Sequence, residues 1–335
     1  MVSMLLKRAR LAFALWLYFY KGCETMQIIR SAEMTFPRDT VVTIGNLDGV
    51  HRGHQRLIQE VKRIALINGM LSVVLTFDPH PLLVLRGTEP PVLLSNEEKC
   101  AVLETFDIDY VVEYPFTQEF AQWTPERFFQ DLLVSIRCKR LVIGEDFRFG
   151  QNGMGDAALA ASLGAAQGVR VHTLPDITEN GERISSSHIR TLIQNRAFAA
   201  ASNLMGRSYT IAGVVSEVTQ HGRKGGFPSI QLVPHTQKLL PPDGVYLSEA
   251  LWRGKTYESV TNIGSGQKPN GQERIVETHI IDSDQPMFGE TLEIHPLGFL
   301  RGEQPFASSA ELRAAIMADV ASARRFFGRS AEVRK

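Results

Sequence analysis

The sequence predicts an α/β protein: a doubly wound parallel sheet, then a small antiparallel β-barrel with a C-terminal helix. From Val41 onward, short β-rich runs alternate with longer amphipathic ones, the rhythm of strands joined by crossover helices. Beyond Leu204 the rhythm changes to six short β-rich runs separated by glycine and proline, the pattern of a small barrel. The last stretch places Leu312, Ile316, Met317 and Val320 on one helical face. A chain of 335 residues suits two cores, at roughly 150 residues each.

In order, residues 41–44 (V-V-T-I) read as a buried strand. Residues 54–66 read as a helix carrying Leu57, Ile58, Val61, Ile64 and Ala65 inward. Further strands are expected at 71–77, 109–114, 140–144 and 169–174, and one helix over 188–204. In such sheets ligands sit at the carboxyl ends of the strands. The barrel strands are expected at 209–215, 229–233, 244–248, 258–264, 276–282 and 291–295, and the closing helix at 309–327. A boundary near Met205 to Arg207 divides a first module, 26–204, from a second, 205–329.

Lysine plus arginine equals aspartate plus glutamate at 36 each, so net charge recruits neither nucleic acid nor an anionic membrane. Apolar residues at 44% and charged residues at 21% describe an ordinary globular chain. Three cysteines, Cys23, Cys100 and Cys138, are too few and too scattered for a disulfide framework, and a cytoplasmic location is expected. Lys7, Arg8 and Arg10 precede the apolar run 11–20 in the order of a signal peptide, but no A-x-A site follows. That run also falls short of the roughly 20 residues a bilayer-spanning helix needs. Residues 1–25 are therefore expected to be an extension ahead of a start at Met26, or an unstructured leader, with no membrane partner.

The segment I-G-N-L-D-G-V-H-R-G-H, residues 44–54, ends a strand and opens a helix. Gly45, Gly49 and Gly53 let backbone approach a ligand, and His51 and His54 stand three apart, within reach of one phosphate. Free N–H groups at a helix start and imidazole donors suit phosphoryl or nucleotidyl transfer. A second segment, R-I-S-S-S-H-I-R, residues 183–190, offers cap hydroxyls, with Arg183 and Arg190 able to bind pyrophosphate. His80, His172 and His295 follow no metal-ligand spacing, and satisfied structural roles are expected for them.

Together with T-F-D-P-H-P (76–81) and G-E-D-F-R-F-G (144–150), these motifs resemble the bacterial bifunctional riboflavin kinase/FAD synthetase family over residues 26–329. The resemblance implies a nucleotidylyltransferase domain that joins ATP and FMN into FAD with magnesium present. His51 and His54 would stabilise the transition state. Gly45, Asn46, Asp48, Gly49, Gly53, Arg183, Ser186, Ser187 and Arg190 would bind nucleotide and phosphate, and Asp146 and Phe147 would line the nucleotide and flavin region. In the second module G-R-K-G-G-F-P (222–228), L-L-P-P-D-G-V-Y (239–246), N-I-G (262–264), V-E-T-H-I-I-D and F-L-R-G-E resemble the riboflavin kinase barrel. There Glu277 would be the base for riboflavin, with Ser229 and Gln231 holding Mg2+ and ATP.

The family reads proline-threonine-alanine-asparagine where this chain has Pro228, Ser229, Ile230 and Gln231. Glutamine moves the amide by one methylene, Ile230 adds bulk, and Glu217 stands in a loop, 216–223, where its charge would repel phosphate. On this reading, returning all three residues to the family's types raises the kinase rate. FAD synthesis is thus expected from the first module, with riboflavin phosphorylation by the second. The alternative is an FAD synthetase whose barrel is a catalytically weak flavin-binding or regulatory module; a third reading is a nucleotide-binding regulator without catalysis.

Overall fold

The computed structural model of the chain describes residues 26–179, 181–219, 229–265, 274–283 and 287–332. Residues 1–25 and the motif at 222–228 lie outside these residues.

The first unit is a six-stranded parallel sheet: β1 Gln27–Ile29, β2 Thr40–Ile44, β3 Leu71–Asp78, β4 Tyr110–Pro115, β5 Cys138–Gly144 and β6 Arg170–Leu174, in the order β1-β4-β3-β2-β5-β6. All five residues of β2 are buried, as befits a central strand covered on both faces. Alternation divides the side chains. Val42, Val73 and Leu141 pack with Phe129, Leu133 and Phe149 on one face, while Val41 and Val142 meet Val61 and Ile64 of helix α1, Arg52–Asn68, on the other. Helices α2, Pro81–Arg86, and α3, Asn96–Glu104, follow β3; α3 starts with a capping box between Ser95 and Glu98. Helix α4, Ala157–Gln167, precedes β6. From β2 the chain moves to β3 and β4 on one side, then returns to β5 on the other. The carboxyl ends of β2 and β5 therefore frame the topological switch point, where open α/β sheets bind ligands.

The compact units divide between Ser186 and Ser187. The second contains helix α5, Ser186–Gln194, from Ser187 onward, helix α6, Phe198–Met205, and a closed antiparallel barrel. After the short hairpin β7 Thr178–Glu179 and β8 Glu182–Arg183 of the first unit, the barrel strands are β9 Ile211–Thr219, β10 Ser229–Pro234, β11 Gly244–Trp252, β12 Lys255–Ser265, β13 Arg274–Ile280 and β14 Thr291–Arg301. Their order is β10-β13-β12-β11-β14-β9, with β9 pairing back onto β10. Helix α7, Ser309–Glu332, seals one side with Ala323 and Phe327 against Val245, Leu247 and Val260. Inside, the fully buried hydroxyls of Ser248, Ser259, Thr261 and Thr278 bond one another at 2.7–2.9 Å, so none is stranded.

Three expectations are corrected. The single helix over 188–204 is two, because Arg196 takes a left-handed φ of 60° between α5 and α6. Its guanidinium donates to the Tyr246 hydroxyl at 3.3 Å and the Asp243 carbonyl at 3.4 Å and lies 4.2 Å from the centre of the Phe299 ring. Those tertiary bonds outweigh helical continuity. The loop expected from Ser216 is strand as far as Thr219; Ser216 is the extra residue of a bulge opposite Gln231 and Leu232. Ile230 does not crowd the site: it is buried, in register with Thr278, so its bulk fills the barrel.

Two outcomes follow. Ile230→Ala, opening a cavity in the barrel core, should cost about 2–4 kcal/mol, read as an earlier urea transition of the second unit. Burial pushes the Cys100 thiol up to about 11 and the Cys138 thiol up to about 12. At pH 8 alkylation followed by site-resolved mass spectrometry should find both unmodified until the chain is unfolded.

Candidate active sites

The turn leaving β2 is held in an unfavourable backbone. Leu47 has φ 51°, Gly49 φ 77° and Val50 φ 36°, a left-handed region that side chains rarely occupy. Gly49 is required here, since a Cβ would stand 2.7 Å from the Leu93 side chain. The buried Asp48 carboxylate accepts hydrogen bonds from the backbone N–H groups of Leu93 at 2.9 Å and Leu94 at 3.2 Å. The Ser186 hydroxyl donates to the Asp48 carbonyl at 2.8 Å, and the Gln55 amide to the Val50 carbonyl at 2.8 Å. Asp48 and Ser186 thus brace the turn.

The turn delivers His51 to the N-cap of α1, where its Nδ1 accepts from the His54 N–H at 3.4 Å. An accepting Nδ1 puts the proton of the neutral ring on Nε2, leaving that N–H as a donor. The two imidazoles stack, with centres 3.6 Å apart and planes 20° off parallel. Gly53 makes room for them: a Cβ there would lie 3.1 Å from the His51 ring. No comparable demand falls on Gly45, where a Cβ would meet only ordinary contact at 3.6 Å. The Asn46 amide lies 3.4 Å from His80 Nε2, and His80 caps α2 by accepting from the Leu82 N–H.

Across the switch point, the turn after β5 carries Asp146 and Phe147, the latter stacked on Phe149. Arg183, at the end of β8, donates to Asp146 and, at 3.0 Å, to Asp176. The structure therefore joins Arg183 and Asp146, two residues that the sequence offered for separate roles. Ser187 and Arg190 follow Ser186 along α5, within the second unit. His172, expected to be satisfied, has Nε2 buried without a hydrogen-bond partner among the described residues; burial and nearby Arg170 lower its pKa and favour the neutral ring.

In the barrel, alternation sets Ser229 and Gln231 on the face opposite Ile230. Glu277 is directly across from Gln231 and, on its other side, from Asn262. The Ser229 hydroxyl donates to the Glu277 carboxylate. Asn262, quoted in a motif but given no role by the sequence, donates to Glu303 at 3.4 Å, and Gly264 leaves space for that carboxylate. Among the described residues no three His, Cys, Asp or Glu side chains cluster to hold a metal. A hydroxyl and an amide are hard oxygen donors of the kind that fit Mg2+ when substrate phosphates complete its shell.

Sequence comparison agrees with both halves. A family model described as FAD synthetase matches residues 33–188 and one described as riboflavin kinase matches 205–327. The bifunctional riboflavin kinase/FMN adenylyltransferase of Escherichia coli (strain K12) is 36% identical, over 86% of this chain and 93% of that protein. The protein of the same name from Bacillus subtilis (strain 168) is 32% identical, over 86% of this chain and 92% of its own. A solved structure of a protein named macrolide-efflux protein, from Streptococcus pneumoniae, is similar with a TM-score of 0.80 and 26% identity, covering 90% of this chain and 99% of that one. No helix among the described residues is long and apolar enough to cross a membrane. By the two matched modules and these full-length relatives, the chain belongs to the bifunctional riboflavin kinase/FMN adenylyltransferase family.

Proposed function

We propose that the chain makes FAD in two steps, phosphorylating riboflavin to FMN on the barrel and transferring AMP from ATP to FMN on the parallel-sheet module, in the cytoplasm. The observation that carries the second step is the stacked pair His51 and His54 on the braced turn at the switch point. An FMN phosphate oxygen attacks the α-phosphorus of ATP; the new P–O bond forms as the bond to pyrophosphate breaks. Phosphate is already an anionic nucleophile, so the protein needs to align the reactants and neutralise charge. The His51 and His54 donors serve the α-phosphoryl oxygens. Gly45, Asn46, Gly49 and Gly53 shape the backbone around the phosphates, and Ser187, Arg183 and Arg190 hold the triphosphate. Asp146 and Phe147 border the flavin and nucleotide.

On the barrel, the riboflavin 5′-hydroxyl attacks the γ-phosphorus of ATP while Glu277 accepts its proton and ADP departs. Ser229 and Gln231 would hold magnesium, which when bound would offset triphosphate charge. The division of labour runs between residues 26–204 and 205–329, a reading supported by the riboflavin kinase match over 205–327.

Purified chain given riboflavin, ATP and magnesium should yield FMN and then FAD. If FAD forms only when FMN is supplied, the barrel has lost its chemistry and the single-activity reading stands. His51→Ala with His54→Ala should lower FAD formation about 10²–10³-fold and leave riboflavin phosphorylation unchanged, measured by chromatography of both flavins. Ser229→Thr with Gln231→Asn, keeping Ile230, should raise the kinase kcat; an unchanged rate would mean that the displaced amide does not limit it.

A further inference from the structure

Lys99 has no place in the chemistry above, yet it is only 6% exposed. It stands on α3, whose other buried residues Cys100, Val102 and Leu103 form an apolar face. An ammonium taken out of water must be held by acceptors. Lys99 Nζ donates to the Thr76 hydroxyl at 3.1 Å and lies 3.5 Å from the Asn46 carbonyl. Thr76 in turn donates to that carbonyl at 3.2 Å. Two side chains from two different elements thus converge on one peptide oxygen.

That oxygen belongs to the peptide entering Leu47, the first left-handed residue of the turn. A planar trans peptide points its N–H away from its carbonyl, so an inward carbonyl turns the Leu47 N–H to the opposite side. Asp48 and Ser186 brace the middle of the turn; the Lys99 and Thr76 pair braces its entry.

We propose that Lys99 is a positioning residue for adenylyl transfer, its buried ammonium acting with the Thr76 hydroxyl on the Asn46 carbonyl to hold the turn that presents His51 and His54. This rests on the reading of that turn as the adenylyl-transfer centre. Displacement of reacting groups by about 1 Å costs on the order of 10² in rate, so the effect falls on kcat. Burial is the main influence on Lys99 and lowers its pKa, against the opposing charges of Glu113 on β4, Asp48 in the turn and Asp78 on β3, and the Cys100 thiol. Its charge is therefore lost at a lower pH than that of a solvated lysine, and the rate falls on the alkaline side.

The test uses the full chain with FMN, ATP and magnesium. Lys99→Met should lower kcat for FAD formation about 10–100-fold, with the KM for FMN and ATP within about threefold of wild type. The alkaline fall should vanish, and riboflavin phosphorylation on the same chain should persist. Thr76→Val should reproduce part of the loss and Thr76→Ser restore it. Lys99→Met at the wild-type rate, while His51→Ala is impaired, overturns the proposal and leaves the site assignment standing. A His51→Ala and His54→Ala double variant at the wild-type rate overturns the assignment itself. Should Lys99→Met fail to fold, equal rates for Thr76→Val and Thr76→Ser overturn the proposal.

Discussion

A strained turn held by buried bonds is the constraint on which the adenylyl-transfer module depends. Leu47 and Val50 occupy a backbone region that costs roughly 1–3 kcal/mol per residue outside glycine. Such a conformation persists only when its surroundings over-determine it. Here the buried Asp48 carboxylate, the Ser186 hydroxyl and the Gln55 amide each fix a different part of the turn. What the strain achieves is placement: His51 arrives at the first turn of α1 with its ring over Gly53 and stacked on His54. On the proposed reading such placement is what adenylyl transfer asks of the protein, since phosphate is already an anionic nucleophile.

The two modules position their residues by different means. In the parallel sheet, strand order does it: the jump from β4 back to β5 opens the crevice beside the end of β2, and the segments carrying His51 and Asp146 follow from those two strands. In the barrel, the two-residue period does it. Ser229, Gln231, Glu277 and Asn262 share one face because Ile230, Thr278 and Thr261 share the other. A bulge at Ser216 interrupts the pairing beside Gln231 and bends the strand locally.

Regular elements were legible where a buried face imposed a period. The strands at β2, β3 and β5 and the helix α1 fall within a residue or two of their expected limits, and the six barrel strands all appear. Some missed elements lacked such a face or were overruled, while α3 and α4 bury residues without a strong helical period. β1 is three residues, Q-I-I, at the sheet edge. α2 is short and buries no side chain. The helix expected to run through Arg196 breaks there because Tyr246 and Asp243, about fifty residues onward, bind its guanidinium. For Lys99 the sequence did hold a clue, a lysine beside Cys100, Val102 and Leu103 on an otherwise apolar face, but no local pattern names its acceptors.

From the sequence alone came the two modules, their strand and helix periods, and the histidine pair beside a glycine-bearing turn, because hydrophobic spacing and φ-permissive residues are local properties of a chain. Tertiary structure alone decided that Asp48 and Ser186 brace rather than merely neighbour the turn, that Arg183 meets Asp146, that Ile230 points into the barrel, and that Lys99 reaches the Asn46 carbonyl. Each is a pairing between groups distant along the chain or a choice between two faces, and such pairings are set by how whole elements pack.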